Sequence, residues 1–470
     1  MFNLDKYKQN TAVITDRGER LTYSELNDEA KRFAKAMPEK GLLFCLCENR
    51  LGSLVAHVSC LDNHIPIVLL DGSKEKIVIQ SLVDLYQPEY LWLNKEKAGV
   101  YSGEIVYEFA SFVLLNMHYA ESVDKPTIHP DLALCLTTSG STGSPKFVRL
   151  SEKNVLSNAE SIAEYLQIDE NERPVTTLPS YYSYGVSVIN SHLIKGATLL
   201  LTEGTVAQRE FWNFMKEQKA TSIAGVPYTY EMLKMMRFFR MDLPYLKTMT
   251  QAGGKLNKDI VKEYIEYAQK TGKKFFVMYG QTEATARMSY LPFENAMEKC
   301  ASIGIAIPRG KFSLIDVNGN SIDEPDVDGE LVYVGPNVSL GYAERRADLA
   351  KGDENHGELH TGDVARKDAE GFYYITGRLK RFVKVWGNRC NLDAIEQMVK
   401  SITTNCACAG VDDKITVFVT QEGSDEQIIQ LLSEKTGLNR KAFEVKVIES
   451  IPKSSSGKIQ YAELQKMLID

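Results

Sequence analysis

Short apolar runs recur along this chain, and they limit its fold more than any other feature. Each run has the length of a buried strand, and most are separated by stretches long enough for a crossover helix. Because parallel strands need such crossovers, the spacing predicts an α/β fold with doubly wound sheets. The runs lie at 42–47, 65–70, 104–107, 132–136, 197–202, 221–226 and 274–279.

The pattern changes after about residue 285, where glycines separate shorter strand candidates such as 312–317, 329–334 and 372–376. A charged stretch around Lys380 follows, and the remaining tail has its own alternation of strands and helices. We expect an N-terminal core of residues 1–379, with a small barrel-like β subdomain over about 285–379, and an α+β C-terminal domain of residues 380–470. In the tail, helices are predicted at 392–401, 425–435 and 460–468, and a strand at 414–420.

Composition excludes several classes of protein. The chain has 470 residues, which is more than one hydrophobic core organises, so two or more domains are expected. Its net charge is −7, without blocks of like charge, and this argues against nucleic-acid binding. Without a signal-peptide pattern or a long apolar run, we expect a cytoplasmic protein with no membrane span. The eight cysteines lack metal-site spacing and are predicted to be buried free thiols.

The segment 137–146 follows one of the apolar runs and concentrates hydroxyls, glycines and one lysine. Such a loop offers backbone N–H groups, hydroxyl donors and a cation to a polyanion, as a triphosphate requires. It differs from the P-loop, because Pro145 precedes the lysine and no serine or threonine follows it. The predicted phosphate-binding residues are Thr138, Ser139, Gly140, Ser141, Thr142, Gly143 and Lys146.

Four further motifs are ambiguous when each is taken alone. Tyr279-Gly-Gln-Thr-Glu283 ends a strand where α/β folds bind ligands, although Thr282 could simply cap a helix. Gly253 and Gly254 suit close approach of a base to the backbone, but any turn uses glycine. The stretch 361–363 fits either a ribose-binding carboxylate or a capped turn. The loop 452–458 fits a flexible surface loop.

Taken together and in order, these motifs resemble the adenylate-forming superfamily of acyl-CoA synthetases, adenylation domains of non-ribosomal peptide synthetases, and luciferases. The resemblance covers essentially residues 10–470. Seven ordered matches carry it: 137–146, 279–283, 329–331, 341–342, 361–363, 377–378 together with Lys384, Gly387 and Arg389, and 452–458.

The resemblance implies a two-step reaction. A carboxylate attacks the α-phosphorus of ATP, giving an acyl-adenylate and pyrophosphate, and a thiol then displaces AMP. It implies Mg²⁺ as cofactor, a small-molecule carboxylate as substrate, and CoA or the phosphopantetheine of an acyl carrier protein as acceptor. The reaction asks the protein for positioning and charge neutralisation.

The resemblance also assigns roles to particular residues. Lys458 is the expected catalytic lysine that bridges the substrate carboxylate and the α-phosphate. Glu283 would hold Mg²⁺ and Thr282 a phosphate oxygen. Asp363 would bind the ribose hydroxyls, with Arg378 beside it. The expected adenine surroundings and nearby nucleotide-binding positions are Tyr279, Gly280, Gln281, Gly253 and Gly254.

Other roles concern the acyl group, the thiol and domain movement. Tyr182, Ser183 and Tyr228 are assigned to the acyl pocket and its gate. The tail is expected to swing about a hinge at Lys380, so that one pose adenylates and the other forms the thioester. Gly387 and Arg389 would then line the thiol tunnel.

Three hypotheses stay open. Two of them concern the substrate, and the third is a nucleotide-binding regulatory or oxidative relative that keeps the fold without ligase turnover. Relatives that activate α-amino acids usually carry an aspartate at the position of Ser183, and serine cannot neutralise a buried ammonium. We therefore favour an acid–thiol ligase for a fatty or aryl acid. The alternative is an amino-acid ligase that loads a stand-alone carrier protein. The stretch Val385–Ile395 resembles that branch more closely than it resembles typical CoA synthetases.

Overall fold

The computed structural model describes residues 1–117, 126–137, 146–386, 388–453 and 459–468. It confirms a mixed α/β architecture, in which the sheets occupy the interior and the helices cover them. Within the described ranges the helices are α1 Tyr23–Lys35, α2 Leu51–Asp62, α3 Lys76–Tyr86, α4 Glu152–Tyr165, α5 Ser183–Leu193, α6 Arg209–Glu217, α7 Pro227–Met235, α8 Lys258–Thr271, α9 Leu392–Val399, α10 Asp425–Thr436 and α11 Tyr461–Lys466.

The strands are numbered in the same way along the described ranges. Those before residue 285 are β1 Thr11–Thr15, β2 Arg20–Thr22, β3 Leu43–Cys47, β4 Ile67–Asp71, β5 Tyr90–Asn94, β6 Glu104–Phe109, β7 Phe112–Asn116, β8 Leu132–Thr137, β9 Phe147–Ser151, β10 Pro174–Val175, β11 Leu199–Leu201, β12 Ser222–Gly225, β13 Thr248–Gln251 and β14 Lys274–Tyr279. Those after it are β15 Ser289–Tyr290, β16 Ile305–Ala306, β17 Lys311–Ile315, β18 Gly329–Val334, β19 Gly341–Ala343, β20 Glu358–Lys367, β21 Tyr373–Arg378, β22 Phe382–Val385, β23 Asn388–Asn391, β24 Cys406–Val411, β25 Lys414–Val419 and β26 Phe443–Val447.

Two large sheets form the centre of the molecule. One has the order β16-β15-β14-β13-β12-β10-β11-β1-β2 and the other β19-β9-β8-β4-β3-β5-β7-β6. The inner strands β14 to β1 of the first and β8 to β5 of the second pair in parallel. Antiparallel strands complete the edges, so parallel pairing is confined to the strands that helices connect.

The run at 104–107 does form a strand, but it is not part of a parallel crossover unit. Strand β6 pairs antiparallel with β7, and only Ala110 and Ser111 separate the two. Both residues have positive φ, at 45° and 64°, which is the backbone of the tight turn that suits a two-residue hairpin. Neither residue is glycine or asparagine, so the sequence carried no strong signal for this turn.

The region after 285 departs from the predicted barrel-like shape. Strands β17, β18, β20 and β21 form an antiparallel sheet in linear order, without the closure of a barrel. One face of this sheet packs Phe312, Leu331 and Tyr333 against the core sheet. The sheet therefore brings the end of β20 close to the end of β14.

The C-terminal segment has cores of its own. Its buried apolar clusters contain only residues after 382, such as Val385, Ile395 and Val417 in one and Phe418 and Leu464 in the other. The buried clusters of the preceding part of the described chain contain no residue from this tail. This separation supports a domain boundary near Lys380, which we retain as a proposal.

The cysteines and helices bear on two of the expectations from composition. Every cysteine is free, and all are buried except Cys390, which is partly exposed. No helix in the described ranges is both long and apolar enough to cross a membrane.

Helices α2 and α5 are buried on almost every side, and each carries a buried histidine. His57 on α2 lies 2.7 Å from Asn190 Oδ1 through Nε2, so Nε2 donates and Nδ1 is left unprotonated and without a partner in the described residues. His192 on α5 bonds the carbonyl of Val188 through Nδ1. Burial lowers the pKa of each ring to about 4, so both histidines are neutral at neutral pH.

This burial predicts a specific loss of stability in acid. The folded pKa values of about 4 lie below the ordinary 6.5. As the pH falls from 6.5 towards 4, the unfolded chain therefore binds protons that the folded chain does not, at a cost of roughly 3 kcal/mol for each histidine. Denaturant titrations at several pH values should show a shallower pH dependence in H57Q and H192Q than in wild type.

Candidate active site

The site is built at the carboxyl edge of the larger parallel sheet, where β12, β13 and β14 end side by side. After β14 the chain turns at Gly280, where a Cβ atom would lie 1.8 Å from the carbonyl oxygen of Ala286. The next turn ends at Thr285, whose φ of 68° is unusual for a β-branched residue. The Thr285 hydroxyl donates to the carbonyl of Asn337 at 2.7 Å, and this bond holds the strained turn in place.

Asp363 is the centre of the largest polar network at this edge. Its carboxylate is buried and accepts hydrogen bonds from the Tyr279 hydroxyl, from Gln281 Nε2 at 3.0 Å and from Arg378 Nε at 3.0 Å. Arg378 is its cross-strand partner in the β20–β21 pair, whereas Tyr279 and Gln281 come from the end of β14. Burial together with the Asp363 charge raises the pKa of Tyr279 well above its ordinary value, so the phenol keeps its proton and donates.

Glu283 and Lys146 lie on either side of Tyr342. The Tyr342 hydroxyl donates to Glu283 Oε1 at 2.8 Å, and the Lys146 ammonium lies 3.6 Å from the centre of the Tyr342 ring. Burial and the Glu283 carboxylate raise the pKa of Tyr342. Tyr342 therefore contacts both a carboxylate, through its hydroxyl, and a cation, through its ring.

Two contacts join the predicted acyl gate to the nucleotide motifs. Ser183, at the start of α5, lies 3.1 Å from Thr282 through the two hydroxyl oxygens. The Tyr182 hydroxyl lies where a Cβ on Gly253 would approach it at 2.6 Å, and Gly253 has a φ of +84°. Glycine is therefore required at 253 both for its backbone and for its closeness to the gate.

The tail meets this edge through a few contacts. Lys453 Nζ in the tail lies 5.8 Å from the centre of the Tyr228 ring on α7. The Tyr228 side chain is half-exposed, and this contact turns it towards the tail and not towards the Asp363 network. Asp393 and Lys400 act electrostatically on Lys255, just after the paired glycines. Both contacts place the tail over the open end of the site.

Ten of the predicted residues are placed by their backbone alone or lie outside the described ranges. The backbone of Lys380 lies in the short helical turn Leu379–Arg381, and that of Arg389 in β23. Residues outside the described ranges are Thr138, Ser139, Gly140, Ser141, Thr142, Gly143, Gly387 and Lys458. Their roles stay predictions.

The donor set fits a magnesium–nucleotide better than a metal held by protein alone. In the described part of the chain no three His, Cys, Asp or Glu side chains form a metal cluster. Glu283 nevertheless offers a carboxylate beside the Lys146 cation, and Mg²⁺ is commonly bound by one or two carboxylates and substrate phosphates. Glu283 is thus the residue that would hold the ion.

Sequence reasoning missed Arg287, which is buried four residues after Glu283. Its guanidinium lies 5.0 Å from the centre of the Tyr184 ring on α5. The signal that could have found it is a single charge within the otherwise uncharged stretch 284–293. It was overlooked because periodicity does not show which face of the turn is buried.

A model of the AMP-binding enzyme family matches residues 3–343, nearly three quarters of the chain. The chain belongs to this family. The resemblance to adenylate-forming enzymes drawn from the motifs is confirmed. This AMP-binding enzyme is 28% identical over 352 residues to oxalate–CoA ligase of Arabidopsis thaliana, covering 71% of the chain and 67% of that protein.

Two further comparisons agree. The enzyme is 29% identical over 371 residues to long-chain-fatty-acid–CoA ligase of Escherichia coli, covering 75% of the chain and 64% of that protein. The chain thus spans about two thirds of the length of these relatives. Its fold matches o-succinylbenzoate CoA synthetase from Bacillus subtilis, solved with its acyl-adenylate, at a TM-score of 0.79 and 22% identity, covering 99% of this chain and 97% of that one.

The crowding at Gly280 gives a test of the site's construction. In G280A the new methyl group would push against the Ala286 carbonyl and shift the 286–287 backbone. We expect a loss of about 1–3 kcal/mol in the free energy of unfolding together with weaker ATP binding. Denaturant titration and calorimetry with ATP measure both. The exposed Gly99, with no heavy atom within 4 Å of its Cβ position, gives the matched control G99A, which should leave both unchanged. Wild-type ATP binding in G280A would contradict the assignment.

Proposed function

We propose that this enzyme activates a carboxylic acid as its acyl-adenylate and then transfers the acyl group to a thiol. The Asp363 network carries the proposal, because it places a buried carboxylate beside the turn that bears Thr282 and Glu283. A carboxylate held by Tyr279, Gln281 and Arg378 can accept hydrogen bonds from the two ribose hydroxyls of ATP. The family membership supports the same nucleotide.

In the first step the acid's carboxylate oxygen forms a bond to the α-phosphorus, and the bond to pyrophosphate breaks. Lys146 and Glu283, on the two sides of Tyr342, would face the departing phosphates and the magnesium ion that balances their charge. Thr282 would donate to a phosphate oxygen. Lys458 is proposed to bring its positive charge to the reacting oxygens.

In the second step the acceptor loses its thiol proton, its sulfur attacks the acyl carbon, and AMP leaves. The named relatives are CoA ligases, and this favours CoA as the acceptor. A carrier-protein phosphopantetheine presents the same thiol and stays the alternative acceptor.

Two arginines bracket the proposed hinge. Arg378 is held by Asp363 on the core side. Arg381 is buried on the tail side, where it donates to the Cys408 carbonyl at 3.0 Å and pairs with Asp393 and Glu396. Only Leu379 and Lys380 lie between them, so a swing of the tail would have to be absorbed there.

The surroundings of Ser183 support an acid without an α-ammonium group. Ser183 is buried and contacts Thr282. One turn further along the same helix, Ser187 accepts a hydrogen bond from the buried cation Arg287 at 3.2 Å. A buried cation disfavours a second positive charge nearby. We therefore propose an aliphatic or aryl acid as the substrate.

A screen for pyrophosphate release tests the overall proposal. The panel holds aliphatic, aryl and amino acids, each with and without CoA. We expect release with a non-amino acid and a thioester product when CoA is present. Strong release with a single amino acid and none with the other acids would favour the amino-acid ligase instead.

Replacing the proposed catalytic lysine tests the first step directly. K458A should slow acyl-adenylate formation by about 10²–10³-fold, the usual effect of losing one charge-stabilising group. Single-turnover assays with ATP and the acid measure this rate. The exposed Lys466, which pairs with Glu463 on α11, provides the control K466A with no expected change. Unchanged adenylation in K458A would refute the role of this lysine.

The hinge can be tested by restricting its backbone. We propose that the present pose is the adenylating one, because it holds Lys453, five residues before Lys458, close to Tyr228. K380P restricts φ to the range of the present helical turn, so adenylation should stay close to wild type. Thioester formation should slow tenfold or more, which corresponds to at least about 1.4 kcal/mol on its barrier. Separate assays of pyrophosphate release and thioester product distinguish the two steps. Equal slowing of both steps would contradict a hinge at this residue.

A further inference from the structure

Arg287 is a buried cation that the proposed chemistry does not use. It is 2% exposed and follows the turn that carries Thr282 and Glu283. Its Nε donates to the Ser187 hydroxyl at 3.2 Å, and Nη1 donates to the Tyr165 hydroxyl at 3.1 Å. Among the described residues no carboxylate pairs with it, and its Nη2 has no hydrogen-bond partner.

An unpaired guanidinium is costly to bury, so its position calls for an anion from elsewhere. The remaining groups around it are neutral. His192 is uncharged because burial lowers its pKa to about 4, and burial raises the pKa of Tyr165 and Tyr184. Glu172 and Arg287 border one small cavity. The Glu172 carboxylate, however, accepts a hydrogen bond from the Thr221 hydroxyl and pairs with Lys247 at 3.5 Å.

The position of Arg287 relative to the reaction centre follows from α5. Ser183 contacts Thr282 at the reacting end, and Ser187 contacts Arg287. These two serines are four residues apart on one helix face, which is about 6 Å along the axis. Arg287 therefore lies roughly one helical turn deeper than the gate.

Apolar and aromatic groups surround the path between these two points. Tyr184, Ala252 and Met278 belong to one buried cluster here, and Tyr182 packs against it. The separate cavity of about 20 Å³ that Arg287 borders does not include Ser183 or Thr282 and has room for little more than one water molecule. The length of the acid is therefore limited by the single helical turn between the two serines.

We propose that the substrate is a short dicarboxylic acid, with one carboxylate activated at the α-phosphorus and the other bound by Arg287. This inference rests on the proposed acid-activating function and narrows its substrate. A planar guanidinium with a free Nη2 offers the geometry that a carboxylate accepts in charge-assisted hydrogen bonds. The residue would then determine specificity without touching the reacting atoms.

The test compares acids that differ only in the distal group. Pyrophosphate release is measured for short linear diacids, for their monomethyl esters and for monocarboxylic acids of equal length. We expect the wild-type kcat/KM to favour the diacid by about 100-fold or more, because the analogues leave Arg287 without its partner. Equal or better use of the monoacids or esters would overturn the proposal. No release with any acid would instead refute the proposed function itself.

Variants separate a specificity role from a structural one. R287M should lose the preference for diacids and gain relative activity with monoacids, and R287K should keep part of the preference. ATP binding, measured by calorimetry, should persist in both variants. The control is R309M, since Arg309 also contacts helix α4, through Glu164 and Ser161, but is partly exposed. A diacid preference unchanged in R287M would overturn the proposal, and the wild-type comparison decides the matter even if that variant fails to fold.

Discussion

The buried Asp363 carboxylate is the interaction on which the rest of the site depends. A buried charge requires partners, and here they come from two separate sheets. Tyr279 and Gln281 belong to the edge of the parallel sheet, whereas Arg378 belongs to the antiparallel sheet. Holding one carboxylate therefore holds the two sheets together at the place where the nucleotide is proposed to bind.

The same carboxylate connects the site to the proposed hinge. Arg378 is fixed by Asp363, and Arg381, three residues later, is fixed within the tail by Asp393 and Glu396. Any movement between the two parts of the chain at the proposed hinge would therefore be confined to a very short stretch of backbone. A short hinge between anchored arginines would let the tail change its pose without disturbing the ribose contact.

The charges around the acyl side differ from those around the nucleotide. On the nucleotide side the buried Asp363 carboxylate has the cation Arg378 as its partner. On the acyl side Arg287 is buried among neutral hydroxyl and aromatic groups. This difference supports a substrate whose second carboxylate supplies the counter-charge of Arg287.

Prediction from the sequence was strongest where the signal is local. The apolar runs at 42–47 and 274–279 became β3 and β14, and the tail helix predicted at 425–435 became α10 with little change at its ends. Short strands and helices are specified by neighbouring residues, so patterns a few residues long suffice. The hairpin of β6 and β7 was missed because Ala110 and Ser111 carry no strong turn signal.

The sequence by itself determined the family, the order of the motifs and the chemistry that Asp363, Glu283 and Lys458 can supply. Only the tertiary structure decided which of these residues meet, since Tyr279 and Asp363 are 84 positions apart. It also decided that Arg287 is buried against Ser187, 100 positions away, without a counter-charge among the described residues. Contacts of this kind depend on how separate elements pack, and no local pattern along the chain records that packing.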